Sequence, residues 1–218
     1  WKRRAGRITV SRPGSGFGGR SLCLSQRKAP DLPYEVSVEA KLNDESGAAG
    51  LVFESDGENR HYGIYPSSGN LRLTRFDGPD VFSWNILEQL QSDAYRSGDW
   101  NRLRVRIEEK TLTCFVNGEK VIQIEDHSLR GGHAGLAKFR QTEVTFRNFR
   151  IGLDLSEKKI PEELASAIER QVSRLKKNPG NENTIHRLSR NPDLARPLLR
   201  KEVEALRARA DLREEKSR

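Results

Sequence analysis

Five carboxylates fall in or beside strand-like stretches of the chain: Glu35, Glu39, Glu54, Asp56 and Asp77. Two carboxyls converging on one bond are the minimum for acid–base cleavage, and their separation selects between a carboxylate nucleophile and an activated water. No Glu-x-Asp-x-x-Glu run sets such a pair side by side, so each carboxylate reads as solvated or ion-paired, with Arg102, Arg104 and Arg106 as the natural partners. The histidines, His61, His127, His133 and His186, are scattered and lack the spacing of zinc ligands. His61 stands apart because Arg60, Tyr62 and Tyr65 surround it near a strand end. Calcium would have Asp56, Asn59 or Asp77 with loop carbonyls, but no EF-type loop organises them. The sequence therefore calls for no metal and no cofactor.

A second chemistry is recognition without bond cleavage. Aromatic rings stack on the C–H faces of saccharides while polar groups bond the hydroxyls, and Tyr62, Tyr65, Phe76, Trp84 and Asn85 fall on or between the central strands. The candidate ligand contacts are His61, Tyr62, Tyr65, Arg75, Asp77, Trp84 and Asn85, with further loops at Asp77 to Asn85 and His127 to His133. Trp84 leads the set because it sits in an irregular segment that could line a concave sheet face. Aromatic residues of a small β-domain otherwise fill its core, and Trp100 is expected there.

The elements that must position these residues are strands. Tyr34 to Leu42 alternates apolar and polar residues, as does Asn101 to Glu108, where Leu103, Val105 and Ile107 recur at every second position. Asn117-Gly118 tolerates the positive φ of a two-residue hairpin turn, placing antiparallel strands at 111–116 and 120–124. Further strands are expected at 7–10, 21–25, 49–54, 61–65, 71–76, 136–139 and 144–151, with Pro66-Ser67-Ser68-Gly69 as a turn. A spacing of about ten residues is the rhythm of an antiparallel sandwich or jelly roll. Residues 81–97 break it: Ile86 to Leu90 reads equally as a strand, a helical turn or a crossing loop. Gly14, Gly16 and Gly19 spell G-x-G-x-x-G, but a strand follows where a dinucleotide site needs a helix, so 13–19 reads as a flexible inter-strand loop.

At Asp154 the period changes, dividing the chain into a sandwich over 1–153 and a helical extension over 154–218. Pro161, Glu162 and Glu163 open a helix that continues through Leu164, Ile168, Val172 and Leu175 to Asn178-Pro179-Gly180. A second helix is expected over 182–189, and a third from Pro192 through Leu198, Val203 and Leu206 into a frayed end. This tail reads as a cap, or as a spacer for a following domain.

The 218 residues are 34% hydrophobic and 32% charged, a foldable balance for one core with an appendage. The formal charge of +8 is shared equally between the two parts, which argues against nucleic acid as a partner. No run reaches the length of a membrane span. Cys23 and Cys114 lie in strand-like runs and read as free thiols, although strand cysteines can pair across a sheet. There is no methionine, so the chain is expected to be a mature or excised segment of a longer parent.

The first 153 residues resemble a concanavalin A-like lectin/glucanase sandwich of the kind shared by laminin G-type modules. Asp99-Trp100-Asn101-Arg102-Leu103-Arg104-Val105, Phe115-Val116-Asn117-Gly118, Gly135-Leu136 and Val144-Thr145-Phe146-Arg147-Asn148 together resemble the 3-keto-disaccharide hydrolase domains within that group. The resemblance implies a carbohydrate or protein partner and an extracytoplasmic or cell-envelope location. Its motif residues are structural, and Ala48-Ala49-Gly50-Leu51-Val52-Phe53 and His61-Tyr62-Gly63-Ile64-Tyr65 depart from the hydrolase-like members, the second segment by lacking their acidic position. The expected function is thus a noncatalytic carbohydrate- or protein-binding module. A hydrolase or lyase acting on 3-keto-disaccharides is the alternative, and a structural interaction domain of an envelope protein the third reading.

Overall fold

The computed structural model describes residues 1–156, 161–190, 195, 198 and 199. The chain divides after residue 157 into two compact units. Among the described residues the first holds thirteen strands: β1 (Lys2–Arg4), β2 (Arg7–Val10), β3 (Ser21–Lys28), β4 (Tyr34–Leu42), β5 (Ala48–Ser55), β6 (His61–Ser67), β7 (Asn70–Phe76), β8 (Trp84–Leu90), β9 (Asn101–Ile107), β10 (Thr111–Val116), β11 (Glu119–Glu125), β12 (His133–Phe139) and β13 (Val144–Gly152). They form a seven-stranded sheet in the order β1-β2-β13-β4-β9-β10-β11 and a six-stranded sheet in the order β3-β12-β5-β6-β7-β8. Every pairing is antiparallel. The mainly β, antiparallel sandwich expected from the alternation is the fold observed.

The two sheets meet through the residues whose spacing announced them. Val36, Val38, Ala40 and Leu42 of β4, Leu103, Val105 and Ile107 of β9, and Leu112, Cys114 and Val116 of β10 face Leu51, Phe53, Ile64, Leu71, Leu73 and Leu136 across one core. The hairpin turn at Asn117 and Gly118 has φ of 52° and 93°, the left-handed geometry that its residue types favour. β6 runs through Pro66 to Ser67, and Ser68-Gly69 alone makes the next turn, with φ of 49° and 76°.

Three features were not legible beforehand. The undecided segment is a 3-10 turn over Val81–Ser83 followed by β8, an edge strand with a register shift against Leu73 and Thr74 of β7. The outer face of the six-stranded sheet carries its own apolar cluster of Ala48, Val52, Tyr65, Phe76, Ala137 and Phe139, with Trp84 packed against it. β5 and β6 are consequently buried on both faces. The expectation for Trp100 is corrected: it lies half-buried on the outside of the seven-stranded sheet, because Arg147 sits 3.9 Å over its ring and Arg7 5.9 Å from it. Cys23 and Cys114 are free thiols, the second fully buried.

The second unit contains α1 (Glu162–Lys177) and α2 (Glu182–Ser189). Ile168 and Val172 pack with Leu188, Ala195 and the partly buried Leu175, Leu198 and Leu199. The Asn181 side chain caps α2 by accepting the Thr184 N–H at 3.0 Å. Val203 and Leu206 of the expected third helix lie outside the described residues. No described helix is long and apolar enough to cross a membrane.

Leu51 is fully buried between the sheets, so Leu51→Ala opens a cavity beneath both. The expected loss is about 2–5 kcal/mol in urea unfolding. A loss below about 1 kcal/mol would mean that these faces do not form the main core.

Candidate functional site

Strand alternation sorts the seven candidate residues onto two faces of the six-stranded sheet. His61, Phe76 and Trp84 form one register row across β6, β7 and β8, and Tyr62, Arg75 and Asn85 form the next. The first row belongs to the outer apolar cluster and the second faces the mouth of the sandwich. One residue of offset separates two environments.

The inner row is a polar strap between the sheets. Tyr62 lies in the core with its ring 5.4 Å from Phe53, and its hydroxyl donates a short bond to Asp126, just beyond β11 of the other sheet. Arg75 binds the same carboxylate at 2.6 Å, the Ser128 hydroxyl at 3.0 Å and Asp77 at 3.0 Å. Asn85 donates to Asp77 at 2.7 Å. Burial opposes the charged form of Asp126, but bonds from Tyr62, Ser128 and Arg75 outweigh it and hold the carboxyl below the usual range. Asp126 is the member that sequence reasoning missed. A lone acid after a strand gives no signal until the fold brings Tyr62 and Arg75 to it.

The outer row is aromatic. Phe76 packs 4.4 Å from His61 and 5.0 Å from Trp84, while Phe139 lies 5.2 Å from Tyr65, 5.6 Å from Phe76 and 5.7 Å from Trp84. Gly63 makes room for this stack: a Cβ there would come within 3.2 Å of the Phe76 ring and 3.4 Å of Tyr65. The loop before β3 covers one end. Phe17 meets the Trp84 ring edge-on at 5.6 Å, Gly18 accepts the Arg140 N–H at 2.6 Å, and the Arg20 guanidinium binds Asn59 at 2.6 Å. The loop read as flexible is thus bonded to the sheet and packed on it.

Beside this cover a groove of about 160 Å³ opens, lined by Tyr65, Trp84, Phe139, Val81 and Ile86, with Ser67 and Thr74 as hydroxyls and Arg72 and Arg140 as cations. The Tyr65 hydroxyl is 2.7 Å from that of Thr74. Trp84 Nε1 is buried with no hydrogen-bond partner in the protein, and so is His61 Nε2. His61 itself has no exposed surface, and its Nδ1 lies 3.3 Å from the Tyr62 carbonyl. A donor is needed at that contact, which assigns the proton to Nδ1 and leaves Nε2 as a bare acceptor.

The other four carboxylates weighed for bond cleavage are bonded elsewhere. Glu35 binds Arg104 at 2.6 Å and Arg106 at 3.5 Å, and Glu39 binds Arg147 at 2.6 Å. Glu54, almost fully buried, accepts from the Tyr34 hydroxyl at 2.5 Å and the Gly131 N–H, and burial raises its pKa. Asp56 accepts the N–H groups of Glu58 at 2.8 Å and Arg60 at 3.2 Å. Asn59 holds Arg20 and Asp77 holds Arg75, so each side chain weighed for calcium has a protein partner. No group of three His, Cys, Asp or Glu side chains among the described residues is arranged to hold a metal.

Residues 5–152 match the family described as 3-keto-alpha-glucoside-1,2-lyase-like domain. No curated protein matches the chain by sequence. Among solved structures, a carbohydrate binding module from Bacillus subtilis, CBM66, is similar at a TM-score of 0.55 and 16% identity over 67% of this chain and 95% of that one. A Bacillus subtilis protein of unknown function with a galectin-like fold matches at 0.50 and 12% identity, over 63% of this chain and 79% of that one. A xylan beta-1,4-xylosidase from Bacillus halodurans C-125 matches at 0.50 and 17% identity, covering 68% of this chain and 33% of the enzyme. At these identities the likeness is one of fold.

His61 supplies a pH signature of the outer row. Burial first, and the Arg20 guanidinium second, push its pKa down to about 4 from an ordinary value of 6.5. The unfolded chain therefore binds the proton first as pH falls, and stability declines between pH 6.5 and 4. Urea unfolding at about pH 7 and pH 4.5 is expected to show a loss in the wild type larger by about 2 kcal/mol than in His61→Gln. Equal losses in the two proteins would place His61 in water.

Proposed function

We propose that this chain, a member of the 3-keto-alpha-glucoside-1,2-lyase-like domain family, is a glycan-binding sandwich module whose ligand lies in the groove between Trp84 and Tyr65. The observation that carries this reading is the composition of the groove: aromatic walls at Trp84, Tyr65 and Phe139, hydroxyls at Ser67 and Thr74, and no carboxylate among the lining residues. Aromatic rings offer the apolar faces of a pyranose a matching surface. The half-exposed Phe17 and the fully exposed Phe82 extend the apolar surface beside Trp84. The carbohydrate binding module with the same fold is consistent with this use.

A second reading, favoured by the family and by one cluster, is lyase or hydrolase action on 3-keto-glycosides at the sandwich mouth. There Asp77 and Asp126 flank Arg75, and Asp126 also holds the Tyr62 phenol. Acid–base work in that cluster requires one carboxylate to leave Arg75, because a guanidinium-paired carboxylate is a weak base.

The two readings separate in one set of measurements: a glycan array with titration calorimetry on any hit, and a turnover assay on 3-keto-α-glucosides. Binding without turnover is expected, with Trp84→Ala weakening it about tenfold or more when measured below the variant's thermal midpoint, which falls as well because the ring packs on Phe76 and Phe139. Turnover abolished by Asp126→Asn would replace the binding reading with the second one.

A further inference from the structure

We infer that the saccharide taken by this groove is acidic, its carboxylate or sulfate group received by Arg72 and Arg140. The inference rests on the glycan-binding reading above and adds to it the charge of the ligand.

Four of the arginines on its strands are paired with carboxylates: Arg75 with Asp77 and Asp126, Arg104 with Glu35, Arg106 with Glu35 and Glu108, and Arg147 with Glu39. The two arginines of the groove are held differently. Arg72 Nε donates to the side-chain carbonyl of Gln89 at 2.7 Å, and Arg140 Nη1 donates to the main-chain carbonyl of Ser46 at 3.2 Å. Neither makes an ion pair with a described residue, although each guanidinium has five N–H donors. Their neutral partners orient the cations without cancelling their charge.

Nearby acids do not supply the missing anion. Asp44 accepts from the Ser46 N–H and hydroxyl at 2.8 Å each, Glu45 accepts from Tyr95 and Ser97 at 2.7 Å each, and Glu88 accepts the Gln89 N–H at 3.0 Å. The backbone also commits Arg140 to its place. It has φ of 53°, a left-handed conformation uncommon for a side chain of this size, and its N–H is tied to Gly18 of the covering loop. Two oriented, uncompensated guanidiniums beside an aromatic wall complement a ring that carries an anionic group.

The test uses the whole chain in titration calorimetry against three oligosaccharides of equal length: one bearing uronates, one sulfated and one neutral. The acidic ligands are expected to bind about tenfold tighter than the neutral one at about 50 mM salt, and the margin should shrink at about 300 mM. Arg72→Gln combined with Arg140→Gln should abolish the preference, so that acidic and neutral ligands bind this variant equally, with thermal melting as the folding control. Arg72→Lys with Arg140→Lys should keep part of it, since charge remains and the planar fork does not. Equal affinity for all three ligands, or a preference that survives the glutamine pair, overturns the inference. If neutral and acidic ligands alike ignore Trp84→Ala, the glycan-binding reading beneath it falls instead.

Discussion

A strand offers two faces, and a sandwich commits one of them to its core. Everything else this unit presents must therefore be arranged on the outer faces, at the mouth, or on the loops. The constraint acts residue by residue along β6 and β7. Tyr62 and Arg75 point toward the interior and serve the strap to Asp126, while His61 and Phe76, one position away in each strand, build the outer aromatic cluster. The candidate residues are neighbours in sequence and belong to different tasks.

Each outer face solves its electrostatics in its own way. Across the seven-stranded sheet, Arg104, Arg106 and Arg147 stand opposite Glu35 and Glu39 in register or one strand away, so these charges are paired across the strands. Glu35 is almost fully buried and also receives the Leu155 N–H at 2.6 Å, which makes this ladder part of the structure. The outer face of the six-stranded sheet has rings in its middle and guanidiniums at its edge, with amide and carbonyl oxygens in place of carboxylates. The two outer faces thus hold their arginines differently, by carboxylates on one and by neutral oxygens on the other.

The legible part of the fold was the part governed by period two. β4 and β9 alternate cleanly because one face is buried against the other sheet, and their limits were readable to within a residue. β5 and β6 were readable as strands, but their second buried face was not, since small or mixed residues such as Gly63, Ser67 and Ala48 do not announce a covered surface. β8 resisted because of its register shift. Trp84 and Ile86 before it and Gln89 after it all lie on the groove side, so even and odd positions exchange roles within one strand. Trp100 was misplaced for a related reason: an aromatic next to a clean strand reads as core, and only the fold reveals that arginines from β2 and β13 enclose it.

The same geometry explains why motif reading yields a scaffold more readily than a chemistry here. Asn117 binds the Ala94 carbonyl at 2.7 Å and the Asn101 side chain at 2.9 Å, and it accepts the Arg102 N–H at 2.8 Å, so the most recognisable turn of the sequence is a knot of structural bonds. The groove instead depends on contacts between distant segments: the loop around Gly18, the start of β8, the end of β12 and one turn of β6. Their residues carry no shared spacing along the chain. They become a set only when Trp84 pairs beside the outward Phe76, the missing side chain of Gly63 lets Phe76 and Tyr65 settle over the sheet, and Arg140 turns back onto the covering loop. A site of this kind can change its ligand through loop and edge residues while the alternation that builds the core stays untouched.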